Sequence, residues 1–323
     1  MVTSLSHRQI RYGSESELQF VDVWERPASG REAAESSDRY WFIYIHGGAW
    51  RDPCCLTDTA VPAINRLLSS DPAYVDSGRI AGFASIGYRL SPHPRFPQDP
   101  ETTPADKLRV AQHPHHIDDV RTGLAALAED GGNTGSPADY IAHDRYIVYG
   151  HSCGAFLAFQ LWNEEIVGRD RLPPCIVGLE GIYDLRGFVE RGGNPEHGGG
   201  PDTDFAAVLA EIAQGAFGRD QDVWDRASPA RYDFSKVGGS KAAKGQIARL
   251  AIVASSPEDE LVDGGEIDSM EKALQAGAAH NSSLVYMALR DVRGRHDEVH
   301  EDGREVARIL TEAVKRLDQM QGR

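Results

Sequence analysis

Tyr146-Ile147-Val148-Tyr149-Gly150-His151-Ser152-Cys153-Gly154-Ala155 is the stretch that decides how this chain is read. Its first four residues are β-branched or aromatic, the composition of a short buried strand. Gly-x-Ser-x-Gly follows, and the apolar run Ala155-Phe156-Leu157-Ala158-Phe159 is long enough to open a helix. Strand, sharp turn and helix in that order make a nucleophile elbow. The turn leaves little room for a Cβ two residues before and two after the serine, and the Ser152 hydroxyl stands out above the sheet. The pentapeptide alone is a weak signal; its flanks make it specific. Cys153 follows the turn apex, and nothing in the sequence would lower the pKa of its thiol. It is therefore read as contributing its backbone N–H and not its sulfur.

Strand-like runs recur on both sides of this stretch, at Leu18–Trp24, Tyr40–Ile45, Ile80–Tyr88, Ile176–Glu180, Leu250–Ala254 and Leu284–Leu289. Helical patterns fall between them at Thr57–Leu68, Ile117–Glu129, Ala155–Asn163, Phe205–Phe217, Ile267–Gln275 and Arg304–Leu317. This alternation makes the fold class α/β, a mostly parallel central sheet flanked by helices. The first two strands, joined by the polar loop Arg26–Arg39, are expected to form an antiparallel edge. Two irregular stretches interrupt the pattern: Ser91–Ile117, rich in Pro and His, and Leu185–Gly245, with three glycine clusters. Neither reads as a separate domain. The expectation is one domain over residues 1–323, with 185–245 a cap or lid insertion.

Bulk properties narrow the partners. A net charge of −15 over 323 residues disfavours nucleic acid and anionic membrane, and any carboxylate on a ligand would need a local cation. Arg51 and Arg89 are candidates for that cation, with a surface role as the alternative. The N-terminal residues hold no apolar signal core, and no run reaches the length of a membrane span. The four cysteines, with Cys54 and Cys55 adjacent, suit neither a disulfide framework nor a metal site, so a cytoplasmic setting is expected. His113, His115, His116, Asp118 and Asp119 resemble a metal cluster only superficially, because their spacing fits no zinc signature. Neither metal nor cofactor is expected. The assembly is open, a homodimer included.

A serine nucleophile needs a base, an acid that orients the base, and donors for the oxyanion. In the α/β-hydrolase order these follow as Ser, Asp or Glu, then His. After the buried run Leu250–Ala254 come Glu258, Asp259, Glu260 and Asp263. Leu261-Val262 turns the loop back toward the core just after Asp259, which favours that carboxylate, with Glu258 and Glu260 as alternatives. After Leu284–Leu289 come His296 and His300. His296 lies in the loop and His300 at a helix start, so His296 is the expected base and His300 the alternative. At the end of Tyr40–Ile45 stands His46-Gly47-Gly48-Ala49-Trp50, whose glycine N–H groups, with that of Cys153, would make the oxyanion hole. Trp50 and Tyr183 are candidate walls for an aromatic substrate, with core packing the competing role for each.

Taken together, His46–Trp50, the Gly150–Ala155 elbow with Phe159-Gln160 beyond it, and Glu180-Gly181-Ile182-Tyr183-Asp184-Leu185 resemble fungal kynurenine formamidases. Tyr88-Arg89-Leu90-Ser91-Pro92 and Pro114-His115-His116-Ile117-Asp118-Asp119 are similar as well, so the likeness runs from Tyr40 to the C-terminal helix. Phe156 stands where a small residue would be expected. The resemblance implies an α/β-hydrolase with Ser152 as nucleophile, Asp259 as acid and His296 as base. It further implies cofactor-free hydrolysis of N-formyl-L-kynurenine to L-kynurenine and formate, in tryptophan degradation. The alternatives are a carboxylesterase of the hormone-sensitive-lipase type acting on small esters, and a non-catalytic binding protein on the same fold.

Overall fold

The computed structural model describes residues 5–25, 38–131, 136–163, 172–195, 200, 204–237 and 248–322. Eight strands form one sheet: β1 (Ser6–Arg11), β2 (Phe20–Glu25), β3 (Tyr40–Ile45), β4 (Ile80–Ile86), β5 (Tyr146–His151), β6 (Cys175–Leu179), β7 (Arg249–Ala254) and β8 (Leu284–Leu289). Their spatial order is β1-β2-β4-β3-β5-β6-β7-β8. Strands β3 to β8 are parallel, while β2 runs antiparallel to β4 and β1 antiparallel to β2.

Strand β3 shows why the sheet is covered on both faces. All six of its side chains are buried. Tyr40, Phe42 and Tyr44 point to one core and Trp41, Ile43 and Ile45 to the other, the two-residue period of a strand buried on both sides. On the first face lie α1 (Val61–Leu67) and the C-terminal helix Arg304–Met320, through Ile64, Leu67, Ile309, Leu310, Ala313 and Val314. The second face is covered by α2 (His115–Glu129), α4 (Cys153–Gln160) and the helix Gly265–His280. Between α2 and α4 lies the short α3 (Pro137–Ala142). Helix α4 is apolar up to its last residue, Gln160, and every one of its residues is buried.

Between β6 and β7 the described residues form α5 (Leu185–Arg191), α6 (Asp204–Phe217) and α7 (Gln221–Ala227). The sequence reading anticipated only α6. Of the segment 185–245, residues 196–199, 201–203 and 238–245 lie outside the described residues, as does most of the loop 26–39. Helix α8 is Gly265–His280, α9 is Glu298–Asp302 and α10 is Arg304–Met320.

Two strand expectations need correction. Strand β2 is antiparallel, but it pairs with β4, not β3, because β4 and β5 occupy both edges of the fully apolar β3. Strand β1 was missed altogether: its sequence SHRQIR leaves most side chains exposed or half-exposed, the polar character of an edge strand. The Ser91–Ile117 stretch is tied down, with Ala111 N–H donating to Leu90 C=O at 3.0 Å and Ser91 Oγ donating to Ala111 C=O at 2.8 Å.

The strand order places the chemistry. From β3 the chain leaves to β4 on one side and later returns as β5 on the other. In open α/β sheets ligands bind beyond the carboxyl ends of strands at such a reversal. His46–Trp50 leaves β3 there and Ser152 leaves β5, with Ile45 in register with Gly150. Glu180, Asp259 and His296 follow β6, β7 and β8 at the same end.

Candidate active site

Ser152 has φ 55° and ψ −124°, a strained conformation for a residue with a Cβ, and its N–H is fixed by Leu179 C=O at 2.9 Å. The glycines make the turn possible. A Cβ on Gly150 would sit 2.3 Å from the carbonyl carbon of Gly154, and one on Gly154 would sit 2.2 Å from Ile45 C=O. Gly154 thus lets α4 press against the end of β3, bringing the elbow to the glycine loop. A Cβ on Gly47 would lie 3.4 Å from Ser152 Cβ.

That loop is held from several sides. Gly48, Ala49 and Trp50 all have positive φ, and Gly48 C=O accepts the N–H groups of Arg51 and Asp52 at 2.9 and 2.8 Å. Tyr88 stacks on His46 at 4.1 Å between ring centroids and donates its hydroxyl to His46 C=O at 3.0 Å. Burial holds the His46 imidazole neutral, its pKa lowered to about 4. The Cys153 side chain has a role that the sequence reading denied it. Its Sγ accepts the Trp50 N–H at 3.2 Å, pinning the glycine loop to the first turn of α4. Burial pushes the thiol up to about 11, so it stays protonated and unreactive.

His296 Nδ1 donates to Asp259 Oδ2 at 2.8 Å, with the two residues 4% and 1% exposed. Asp259 Oδ1 accepts the N–H groups of Leu261 and Val262 at 2.8 and 2.9 Å, the turn back to the core expected from Leu261-Val262. Burial works to raise the Asp259 pKa; the hydrogen bond and charge of His296 outweigh it and hold the carboxyl below its ordinary range. Burial likewise works to lower the His296 pKa, and Asp259 overrides it, leaving His296 above an ordinary histidine. The other acids are engaged elsewhere. Glu260 accepts the His296 backbone N–H at 3.1 Å and pairs with Arg295, Asp263 pairs with Arg191, and Glu258 is exposed.

His151 couples the elbow to the base. Its Nε2 donates to the His296 carbonyl at 2.9 Å and its ring lies 4.7 Å from that of His296. His300, in α9, packs on the other side of His151 at 4.5 Å, and burial lowers its pKa. Of the two candidate bases, His296 is the one bonded to the Asp259 carboxylate. Ser152 is 6% exposed.

Other candidates sit differently. Trp50 is fully buried, edge-on to Phe156 and Phe217, and Tyr183 is buried edge-on to Phe159 with its N–H donated to Glu266. As they stand, both are packing residues beneath the site. Arg89 is engaged by Asp119, with Nε and Nη2 each at 2.8 Å from a carboxylate oxygen, and Arg51 is buried against Glu211 at 3.3 Å. His116 is bonded to Ser91 Oγ at 3.0 Å and His113 stacks on Phe217. The sequence reading gave no role to Glu180, which is fully buried at the end of β6 beside Asp259. An acid directly after an apolar strand was the available signal.

No family model matches the chain. A kynurenine formamidase of Aspergillus versicolor is 31% identical over 283 residues, 82% of this chain and 85% of that protein. The chain belongs to the kynurenine formamidase family. A kynurenine formamidase-like hydrolase of Fusarium equiseti is 29% identical over 310 residues, covering 94% and 92% of the two chains. A kynurenine formamidase of Meyerozyma guilliermondii is 25% identical over 315 residues, 96% of this chain and 94% of that one. Among solved structures, esterase B of Lactobacillus rhamnosis superposes with a TM-score of 0.62 at 16% identity, covering 99% of this chain and 88% of that one. A thermostable carboxylesterase from a metagenomic library gives 0.62 at 17%, covering 98% and 90%. The fold is that of the α/β-hydrolases, and this member of the family is a hydrolase. No helix among the described residues is long and apolar enough to cross a membrane.

Proposed function

We propose that the chain hydrolyses the formamide of N-formyl-L-kynurenine to L-kynurenine and formate through Ser152, His296 and Asp259. The observation that carries this reading is the 2.8 Å bond between Asp259 and His296 beside a serine elbow that abuts the glycine loop. The names of the family's curated relatives support the substrate.

In this mechanism Ser152 Oγ attacks the formyl carbon while His296 Nε2 takes its proton. Backbone N–H groups of Gly47, Gly48 and Cys153 hold the oxyanion, each such donor being worth about 3 kcal/mol in the transition state. His296 then gives the proton to the departing aryl nitrogen, the C–N bond breaks, and L-kynurenine leaves. Water, deprotonated by His296, attacks the formyl-serine; formate leaves and Ser152 regains its proton. An arylamine departs more readily than an alkylamine, so machinery of this kind suffices. Segment 185–245 is read as a cap over the site. Asn194 Nδ2 donates to Asp259 C=O at 2.6 Å, Glu211 pairs with Arg51, and Phe217 packs on Trp50.

The test is turnover of N-formyl-L-kynurenine by the purified protein beside short-chain p-nitrophenyl esters, with Ser152→Ala as control. Kynurenine formation abolished in Ser152→Ala supports the reading. A strong preference for esters makes the protein a carboxylesterase, and no turnover of either makes it a binding protein.

A further inference from the structure

Glu180 is wedged between the nucleophile strand and the acid loop. The carbonyl of its neighbour Leu179 accepts the Ser152 N–H at 2.9 Å, and Glu180 N–H donates to Ala254 C=O at 2.9 Å. Its φ is +47°, and its side chain is fully buried. Oε2 accepts the Ser256 N–H at 3.0 Å, while Oε1 is buried with no N–H or hydroxyl donor in reach. The Glu180 carboxyl lies beside that of Asp259, close enough for the two to share a hydrogen bond. Two carboxyls share a hydrogen bond only when one of them carries the proton.

The choice of proton holder follows from what else each group touches. Asp259 accepts two backbone N–H groups and the His296 Nδ1–H, all of which favour its charged form. Glu180 has one backbone donor, and the charges acting on it, Asp259 and Glu305 of α10, are negative. Tyr183 beside it is a buried phenol, and His296 reaches it only through Asp259. Burial first, then Asp259, pushes the Glu180 pKa well above the ordinary range.

We propose that Glu180 is a positioning residue whose carboxyl stays protonated and donates a hydrogen bond to Asp259, completing a Glu180–Asp259–His296 chain behind Ser152. That donor adds to the three N–H groups already on the Asp259 oxygens and further restrains the carboxylate against rotating away from His296. A neutral partner does this without adding a second negative charge, which would raise the His296 pKa and delay formation of the neutral base. The inference rests on the triad of the proposed function and not on which acyl group is cleaved.

Two measurements test it on wild type, Glu180→Gln and Glu180→Ala. The infrared difference between wild type and Glu180→Gln at neutral pH should contain the C=O stretch of a protonated carboxyl. Its absence would mean that Glu180 is ionised and would overturn the proposal. This readout needs no substrate, so it stands even if N-formyl-L-kynurenine is not turned over. The second is the pH profile of Ser152 modification by a fluorophosphonate, whose acid limb reports His296. Glu180→Gln, which keeps a donor to Asp259 and an acceptor for Ser256, should leave the limb in place and retain most of the rate. Glu180→Ala should slow modification about tenfold and move the limb to higher pH, since Asp259 loses a donor. A limb in Glu180→Gln lowered by more than about one pH unit would show that a charge had been removed, and the proposal would fail.

Discussion

Asp259→Asn is the sharpest perturbation of the proposed relay, because the structure dictates how the amide must sit. Asp259 Oδ1 accepts two backbone N–H groups at 2.8 and 2.9 Å, from Leu261 and Val262. In the variant only the amide oxygen can satisfy both donors, which turns the NH2 group toward His296 Nδ1. The imidazole must then accept at Nδ1 and carry its proton on Nε2, facing Ser152. A base already protonated on that nitrogen cannot take the serine proton. Inverting the tautomer in a Ser-His-Asp relay lowers kcat on the order of 10⁴-fold, about 5.5 kcal/mol of barrier. The assay is kynurenine release under substrate saturation, with far-UV circular dichroism and thermal melting as folding controls. Both backbone donors keep their partner, so the melting temperature should move by only a few degrees. A folded variant that loses less than about tenfold in kcat would refute the relay through Asp259.

Other expectations follow from the same geometry. His296→Ala should cost at least about 10³-fold in kcat, whereas His300→Ala should stay within about threefold while melting earlier, because His300 only packs on His151; the reverse pattern would move the base to His300. The acid limb of kcat/KM should lie above the range of an ordinary histidine, since Asp259 raises the His296 pKa and activity is lost as pH falls through it; a limb below that range would contradict the ion pair. Gly154→Ala drives a methyl into the end of β3, so denaturant titration should show a loss of about 3 kcal/mol or no folded protein, and wild-type stability would contradict the close approach. His46 and His116 are held neutral, with pKa values of about 4 and about 3. In the unfolded chain both take up protons below about pH 6.5, so stability should be fully present above that pH and fall below it. The slope should approach about 3 kcal/mol per pH unit for the pair, read as a falling urea midpoint; a flat profile between pH 6.5 and 4 would contradict their burial.

What the sequence disclosed and what it hid divide along physical lines. Strands buried on both faces, such as Tyr40–Ile45 and Leu250–Ala254, announce themselves by unbroken apolar runs. The edge strand Ser6–Arg11 does not, since its identity comes from pairing with β2 and not from its own burial. Which strand β2 joins is a long-range matter too, decided by the saturation of β3 on both edges. At the site, residue type and chain order were enough to name Ser152, His46–Trp50, Asp259 and His296 as candidates. The choice between His296 and His300 needed the carboxylate's position, which depends on how the β7 and β8 loops meet. Glu180 and the Cys153 thiol act through contacts more than 70 residues away along the chain, Ser256 for one and Trp50 for the other. No local pattern encodes such contacts. Trp50 and Tyr183 show the converse: an aromatic in a motif reads equally well as lining or as packing until its neighbours are seen.

The most direct test of the central claim is the stoichiometry of products from N-formyl-L-kynurenine with purified protein and its Ser152→Ala variant. The account predicts formate and kynurenine released in equal amounts by the wild type, and no release above the uncatalysed rate by Ser152→Ala. Undiminished release by Ser152→Ala, or no release by the wild type, would contradict it.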